Sequence, residues 1–80
     1  MSDQQQFDLL RQTCSATLKQ LISAAQETEL QMQQLSLPVS RDAARQFSLQ
    51  RRIEVEAHEG YMMASNHLAV FVQQHLYIVN

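Results

Sequence analysis

The sequence predicts an all-α protein in which two long helices fold back on each other as an antiparallel hairpin. Its eighty residues contain one glycine, Gly60, and one proline, Pro38, and these are its only strong chain breakers. Pro38 lies almost at the midpoint, so the chain divides into two long segments. We expect one domain over residues 1–80, with a helix over about 3–35, a turn over 36–40 and a helix over about 41–77.

The first segment has the residue spacing of a coiled-coil helix. Ser2 followed by Gln5 is a capping-box pattern. Apolar or small residues then recur at spacings of three and four, close to the coiled-coil repeat of about 3.5 residues. This predicted stripe consists of Phe7, Leu10, Cys14, Leu18, Leu21, Ala25, Thr28, Met32 and Leu35. Good helix formers fill most other positions, which favours a helix roughly 50 Å long.

The second segment begins with its own capping signal. Pro38 disfavours helical geometry at Leu37, Ser40 is a good N-cap, and Asp42 suits the first turn of a helix. The predicted apolar face comprises Ala43, Phe47, Leu49, Ile53 and Ala57, followed by Tyr61, Ala64, Leu68, Val72 and Leu76. Because the connection is short, the two helices are expected to be antiparallel neighbours.

The last third of the second helix carries more apolar side chains than one neighbouring helix can cover. A helix that is apolar around most of its circumference is buried on more than one side. A chain of this size has a thin core, and its single cysteine excludes an internal disulfide. We therefore expect completion by dimerisation into a four-helix bundle or by a partner protein. The predicted contact residues are Tyr61, Met62, Leu68, Phe71, Val72 and Tyr77.

Residues 77–80 leave alternatives open, because Tyr77, Ile78 and Val79 can continue the helix, form a short extended tail or fray, and a terminal strand is the less favoured interpretation.

An arginine cluster near the start of the second helix is the other candidate contact. It consists of Arg41, Arg45, Arg51 and Arg52. Positive charge is unfavourable at a helix N-terminus, so a negative group is expected nearby. Glu27 and Glu29, which a hairpin brings roughly opposite residues 47–49, would supply it within the chain. An acidic partner surface is the alternative, and RNA is less favoured because the formal net charge is -2.

No residue pattern indicates catalysis, a metal or a cofactor. His67 and His75 are eight residues apart, which is roughly 12 Å along a helix and too far to share one ion within a chain. Cys14 falls within the apolar stripe and is expected to pack as a small apolar side chain. The sequence lacks a glycine-rich phosphate loop, a nucleophile motif and paired carboxylates. It therefore predicts a protein that is not an enzyme.

Gly60 stands inside the second helix at a cost of about 1 kcal/mol relative to alanine. Together with Ala57 and Ala64 it forms a small-residue patch, which indicates a close crossing of two helices. A kink beside Tyr61 is the alternative interpretation.

The cellular compartment is predicted from what the sequence lacks. The longest apolar run, Leu68 to Val72, is far shorter than the roughly 20 residues of a membrane-spanning helix. No basic stretch precedes an apolar core as in a secretory signal. We expect a soluble, cytoplasmic protein without membrane contact.

These observations predict a small non-catalytic interaction module, acting as an adaptor, co-chaperone or inhibitor through an apolar helical surface. The alternative is a homodimeric four-helix-bundle regulatory protein, with nucleic-acid binding through the arginine cluster as a less favoured variant. In length and hairpin pattern alone, the chain resembles the plasmid copy-number RNA-binding bundle and the small type III secretion needle chaperones. It carries no diagnostic motif of either family, so no residue roles follow from the resemblance.

Overall fold

Two long helices make up the structure, a computed structural model that describes residues 2–76. Helix α1 spans Asp3–Gln34 and helix α2 spans Arg41–Gln74. They run antiparallel and pack against each other along their length, which confirms the predicted helical hairpin. Helix α2 ends three residues before the predicted limit of residue 77. Tyr77 and the three residues after it lie outside the described part of the chain.

Local capping signals fix where both helices begin. The Ser2 hydroxyl accepts a hydrogen bond from the backbone N–H of Gln5 at 3.1 Å, and the Gln5 side chain accepts one from the backbone N–H of Ser2 at 3.0 Å. This is the predicted capping box. The Ser40 hydroxyl accepts from the backbone N–H of Ala43 at 3.1 Å and caps α2. These caps confirm the two helix starts read from the sequence.

The contact between the helices, here called the seam, follows a strict seven-residue repeat. Its members are the residues shielded by the opposite helix, and they alternate at spacings of three and four in both helices. In α1 and its C-cap they are Phe7, Leu10, Cys14, Thr17, Leu21, Ala24, Thr28, Gln31 and Leu35. In α2 they are Ala43, Phe47, Gln50, Glu54, Ala57, Tyr61, Ala64, Leu68 and Phe71.

The predicted apolar stripes are therefore displaced by one residue at several points. Thr17, Ala24 and Gln31 occupy the α1 seam where the sequence favoured their apolar neighbours Leu18, Ala25 and Met32. In α2 the seam takes Gln50, Glu54 and Phe71 where the sequence favoured their neighbours Leu49, Ile53 and Val72, and Leu76 follows the end of the helix outside the seam. The reason is geometric, because the seven-residue repeat fixes which positions face the other helix. An adjacent residue therefore stays outside the seam even where it is the more apolar of the two.

Candidate protein interaction surface

A buried polar contact lies in the half of the seam nearest the turn. Gln50 is only 7% exposed, and its amide nitrogen donates to the carbonyl oxygen of Ala24 at 3.0 Å and to the Thr28 hydroxyl at 3.4 Å. The Thr28 hydroxyl in turn donates to the Ala24 carbonyl oxygen at 3.0 Å. A buried polar side chain with satisfied hydrogen bonds fixes the register of packed helices. We call these three residues the Gln50 contact.

At the open end of the hairpin, opposite the turn, aromatic rings pack between the two helices. Phe71 is 7% exposed and stacks on Phe7 with 5.7 Å between ring centroids. The His75 ring stacks on the other side of Phe71 at 4.0 Å, and its Nε2 lies 3.4 Å from a carboxylate oxygen of Asp3. A shallow cavity of about 300 Å³ opens between the helices beside these rings. Phe71 thus packs the end of α2 against the start of α1.

One broad surface of the hairpin is formed by the residues that follow seam positions, and we call it the Met62 face. Gln4 and Val72 border the same cavity, which shows that these positions of α1 and α2 lie on one side. Its apolar members are Leu18, Ile22, Ala25 and Met32 from α1, and Ala44, Val55, Met62, Ala69, Val72 and Leu76 from α2 and its end. The large side chains among them are between 38% and 61% exposed.

The opposite broad surface is formed by the residues that precede seam positions, and we call it the Met63 face. A groove lined by Gln20, Glu27 and Ile53 shows that these positions of the two helices also share one side. The large apolar side chains of this face are Leu9, Leu30, Leu49, Ile53, Met63 and Val70, all at least half exposed.

The outer edges of the hairpin carry no apolar side chain between Ser2 and Leu76. On α1 the edge residues are Gln5, Gln12, Lys19, Gln26 and Gln33, and on α2 they are Arg45, Arg52, Glu59, Asn66 and Gln73. Every large exposed apolar side chain of the helices therefore lies on one of the two broad faces. This segregation is typical of helices with neighbours on more than one side.

The two faces differ in charge. The Met62 face carries charges of both signs, with Asp8 and Glu29 beside Arg11, Arg41 and Arg51. Within it, a guanidinium nitrogen of Arg11 lies 2.7 Å from a carboxylate oxygen of Asp8. The Met63 face carries Glu27, Asp42 and Glu56, and in its described residues it has no lysine or arginine. Of the two faces, only the Met62 face would bring opposite charges together if it packed against the same face of a second copy.

The predicted contact residues divide between the faces and the seam. Met62 and Val72 lie on the Met62 face, 44% and 45% exposed. Tyr61 and Leu68 are half-buried in the seam, and Phe71 is buried there against Phe7. Tyr77 lies outside the described residues. Contact with another molecule stays a prediction for all of them, and the hairpin leaves Met62 and Val72 the most accessible.

The arginine cluster is exposed and is shared between two surfaces. Arg45 and Arg52 lie on the outer edge of α2, whereas Arg41 and Arg51 border the Met62 face. A guanidinium nitrogen of Arg51 lies 3.7 Å from a carboxylate oxygen of Glu54 in the next turn of α2. In the described chain, no ion pair within 4.0 Å joins these arginines to the predicted Glu27 or Glu29. Binding of an acidic partner by the cluster stays a prediction.

Several residues of the Met62 face are not among the predicted contacts. The sequence pattern places Leu18 and Met32 in the predicted stripe of the first helix, and it leaves Ile22 and Val55 outside both predicted apolar faces. A signal was present, because Val55, Met62, Ala69 and Leu76 are each seven residues apart. That repeat predicts a second apolar stripe beside the seam.

Gly60 does not mark a close crossing of α1 and α2. A β-carbon placed on Gly60 would meet no atom within 4 Å, since the residue lies on the exposed Met63 face. Its small neighbours Ala57 and Ala64 do lie in the seam. Helix α2 continues unbroken through the position.

Residues 2–76 do not bring three histidine, cysteine or acidic side chains together as a metal site would require. Cys14 is a free, half-buried thiol in the seam. Neither helix has the length and apolar character needed to cross a membrane.

Comparison with known proteins found no matching family model, no matching curated protein and no matching solved structure.

Proposed function

We propose that this protein is a small non-catalytic interaction module whose Met62 face binds a protein surface. The observation that carries the proposal is the segregation of its exposed apolar side chains. Within the two helices they occupy the broad faces, whereas the outer edges are polar; Leu37 and Val39 are exposed in the turn. A role as an adaptor, co-chaperone or inhibitor requires only such a surface and no reactive group.

The size of the Met62 face supports this proposal. Two helices of about 10 Å diameter and 50 Å length, lying side by side, present a face of roughly 1,000 Å². A specific protein interface needs about 800 Å² from each partner. Met62, Ile22 and Leu18 lie near the middle of this face, where anchoring side chains contribute most to binding.

Site-specific photo-crosslinking in the cells that produce the protein tests the proposal. A photoreactive residue at position 62 should crosslink strongly to protein, because the side chain would be enclosed by the bound molecule. The same residue at Asn66, one turn further along α2 on the polar edge, is the matched control and should crosslink weakly. Equal yields at the two positions, or no protein adduct at position 62, would refute the proposal.

A further inference from the structure

We infer that the occupant of the Met62 face is a second copy of this chain, packed so that both turns lie at the same end of a four-helix bundle. The inference rests on the proposed function, because it names the partner of the same face.

Charge decides which face can pack on itself. A two-fold axis places each face against its own copy, since the contact is self-complementary. The Met63 face would bring Glu27, Asp42 and Glu56 against the same three carboxylates, which is repulsive. The Met62 face instead brings arginines and acids of both copies together. A symmetric dimer is therefore favoured on the Met62 face and opposed on the other.

The register of the hairpin decides the orientation. Phe7 stacks on Phe71, and Thr28 is hydrogen-bonded to Gln50, so Ile22 lies near the level of Val55. With both turns at the same end, α1 of one copy lies over α2 of the other. Leu18 and Ile22 then lie within one helical turn of the second copy's Val55 and Met62.

The same arrangement pairs opposite charges. Glu29 lies at nearly the level of Arg51, so each Glu29 comes within one turn of the second copy's Arg51.

The alternative two-fold arrangement puts the turns at opposite ends and stacks α1 on α1. Its axis cannot pass through the middle of both apolar stripes, because the α1 stripe is centred near Ala25 and the α2 stripe near Ser65. Ser65 lies about seven helical turns from the start of α2, whereas Ala25 lies only about two and a half turns from the end of α1.

The face is also large enough for a stable dimer. Its area of roughly 1,000 Å² per copy exceeds the roughly 800 Å² per partner of a standard interface. Helices joined into hairpins and paired face to face form the common four-helix bundle, in which a seven-residue apolar repeat provides the packing. Val55, Met62, Ala69 and Leu76 supply that repeat.

Two adjacent methionines provide the first test, since Met62 and Met63 lie on opposite faces. Sedimentation from micromolar to near-millimolar protein should show the wild type at twice its 9.2 kDa mass. Met62→Lys should raise the dimer dissociation constant at least about tenfold. Met63→Lys, the matched control, should leave it within about threefold. Circular dichroism should show equal helicity in both variants, because both side chains are exposed in the hairpin.

Charge reversal provides the second test, and it reports on orientation. Glu29→Arg alone should weaken the dimer, because each substituted side chain then faces the second copy's Arg51. Arg51→Glu alone should weaken it as well, because each substituted side chain then faces the second copy's Glu29. A mixture of the two variants should restore dimers to near the wild-type affinity, because each mixed contact then joins opposite charges. An effect within one chain cannot produce this restoration on mixing.

The outcomes separate this inference from the proposed function. A wild type that stays monomeric, or a dimer broken by Met63→Lys as strongly as by Met62→Lys, overturns the inference. So does a species larger than a dimer, which would mean that the two different faces stack. Mixing without restoration overturns the same-end orientation. If position 62 still crosslinks to a different protein, the proposed function stands while the second copy is refuted.

Discussion

Near the turn, the inside of the hairpin carries Thr28, Gln31 and Gln50, whereas the outside of the same helices carries Leu30, Met32 and Leu49. Leu35 and Phe47 complete this part of the seam, so polar and apolar side chains there occur both inside and outside the hairpin. At the open end the order is the usual one, with Phe7 and Phe71 inside. The two ends of the hairpin thus differ in how much of their apolar surface lies between the helices and how much lies on the exposed faces.

This division teaches that pairing of the two helices and binding of other molecules draw on different residues. A satisfied buried amide such as Gln50 contributes a net of only about 0.5–1.5 kcal/mol for each hydrogen bond, but it penalises any other register, since the amide would then be buried without a partner. Apolar side chains contribute binding free energy in proportion to the area they bury. In this hairpin much of that area lies on the faces and is still exposed in the single chain.

The largest expected effect on the seam comes from Phe71→Ala. Removing a buried phenylalanine typically lowers the free energy of unfolding by about 3–5 kcal/mol, and here the stacking on Phe7 and His75 is lost as well. Urea unfolding followed by circular dichroism, at concentrations where the protein is monomeric, measures the change.

Val72→Ala is the matched control for this prediction. Val72 is the next residue of α2 but is 45% exposed on the Met62 face, so its truncation should cost less than about 1 kcal/mol in the single hairpin. Equal costs for the two variants would contradict the assignment of Phe71 to the seam and of Val72 to the face.

A smaller effect is expected from Gln50→Ala. The change removes the donor to the Ala24 carbonyl and to the Thr28 hydroxyl, and should lower the free energy of unfolding by about 1–2 kcal/mol. Gln46→Ala, an exposed glutamine one turn earlier, should change it by less than about 0.5 kcal/mol. Urea midpoints measure both. A Gln50→Ala variant as stable as the wild type would mean that the Gln50 contact does not hold the seam.

The helices, their caps and the turn could be predicted from the sequence because their signals are local. Ser2 with Gln5, Ser40 and the single Pro38 act on neighbouring residues alone. The seam could not be read as accurately, because the choice between Ala24 and Ala25 depends on which side the other helix lies. Gln50 is buried and Glu54 is half-buried, whereas the more apolar Leu49 and Ile53 beside them are about half exposed, which the apolar pattern alone does not predict.

The candidate surface was predictable only in outline. A surplus of apolar residues in α2 indicates that one neighbouring helix cannot cover all of its apolar surface, and this surplus predicts Met62 and Val72 as contacts. The contribution of α1, through Leu18 and Ile22, depends on the register of the hairpin. The difference in charge between the two faces depends on it too, since those charges come from both helices.

The smallest expected effect concerns Gly60 on the Met63 face. Because an added β-carbon meets no atom within 4 Å, Gly60→Ala should raise the free energy of unfolding by about 1 kcal/mol through its better helix propensity. Ala16→Gly, on the same face of α1, is the reciprocal control and should lower it by a similar amount. Urea unfolding measures both changes, and sedimentation shows whether either affects association. If Gly60→Ala instead destabilises the protein or weakens its self-association, the backbone of another molecule approaches Gly60. The Met63 face would then be the occupied one, and the contrast drawn between the two faces would be reversed.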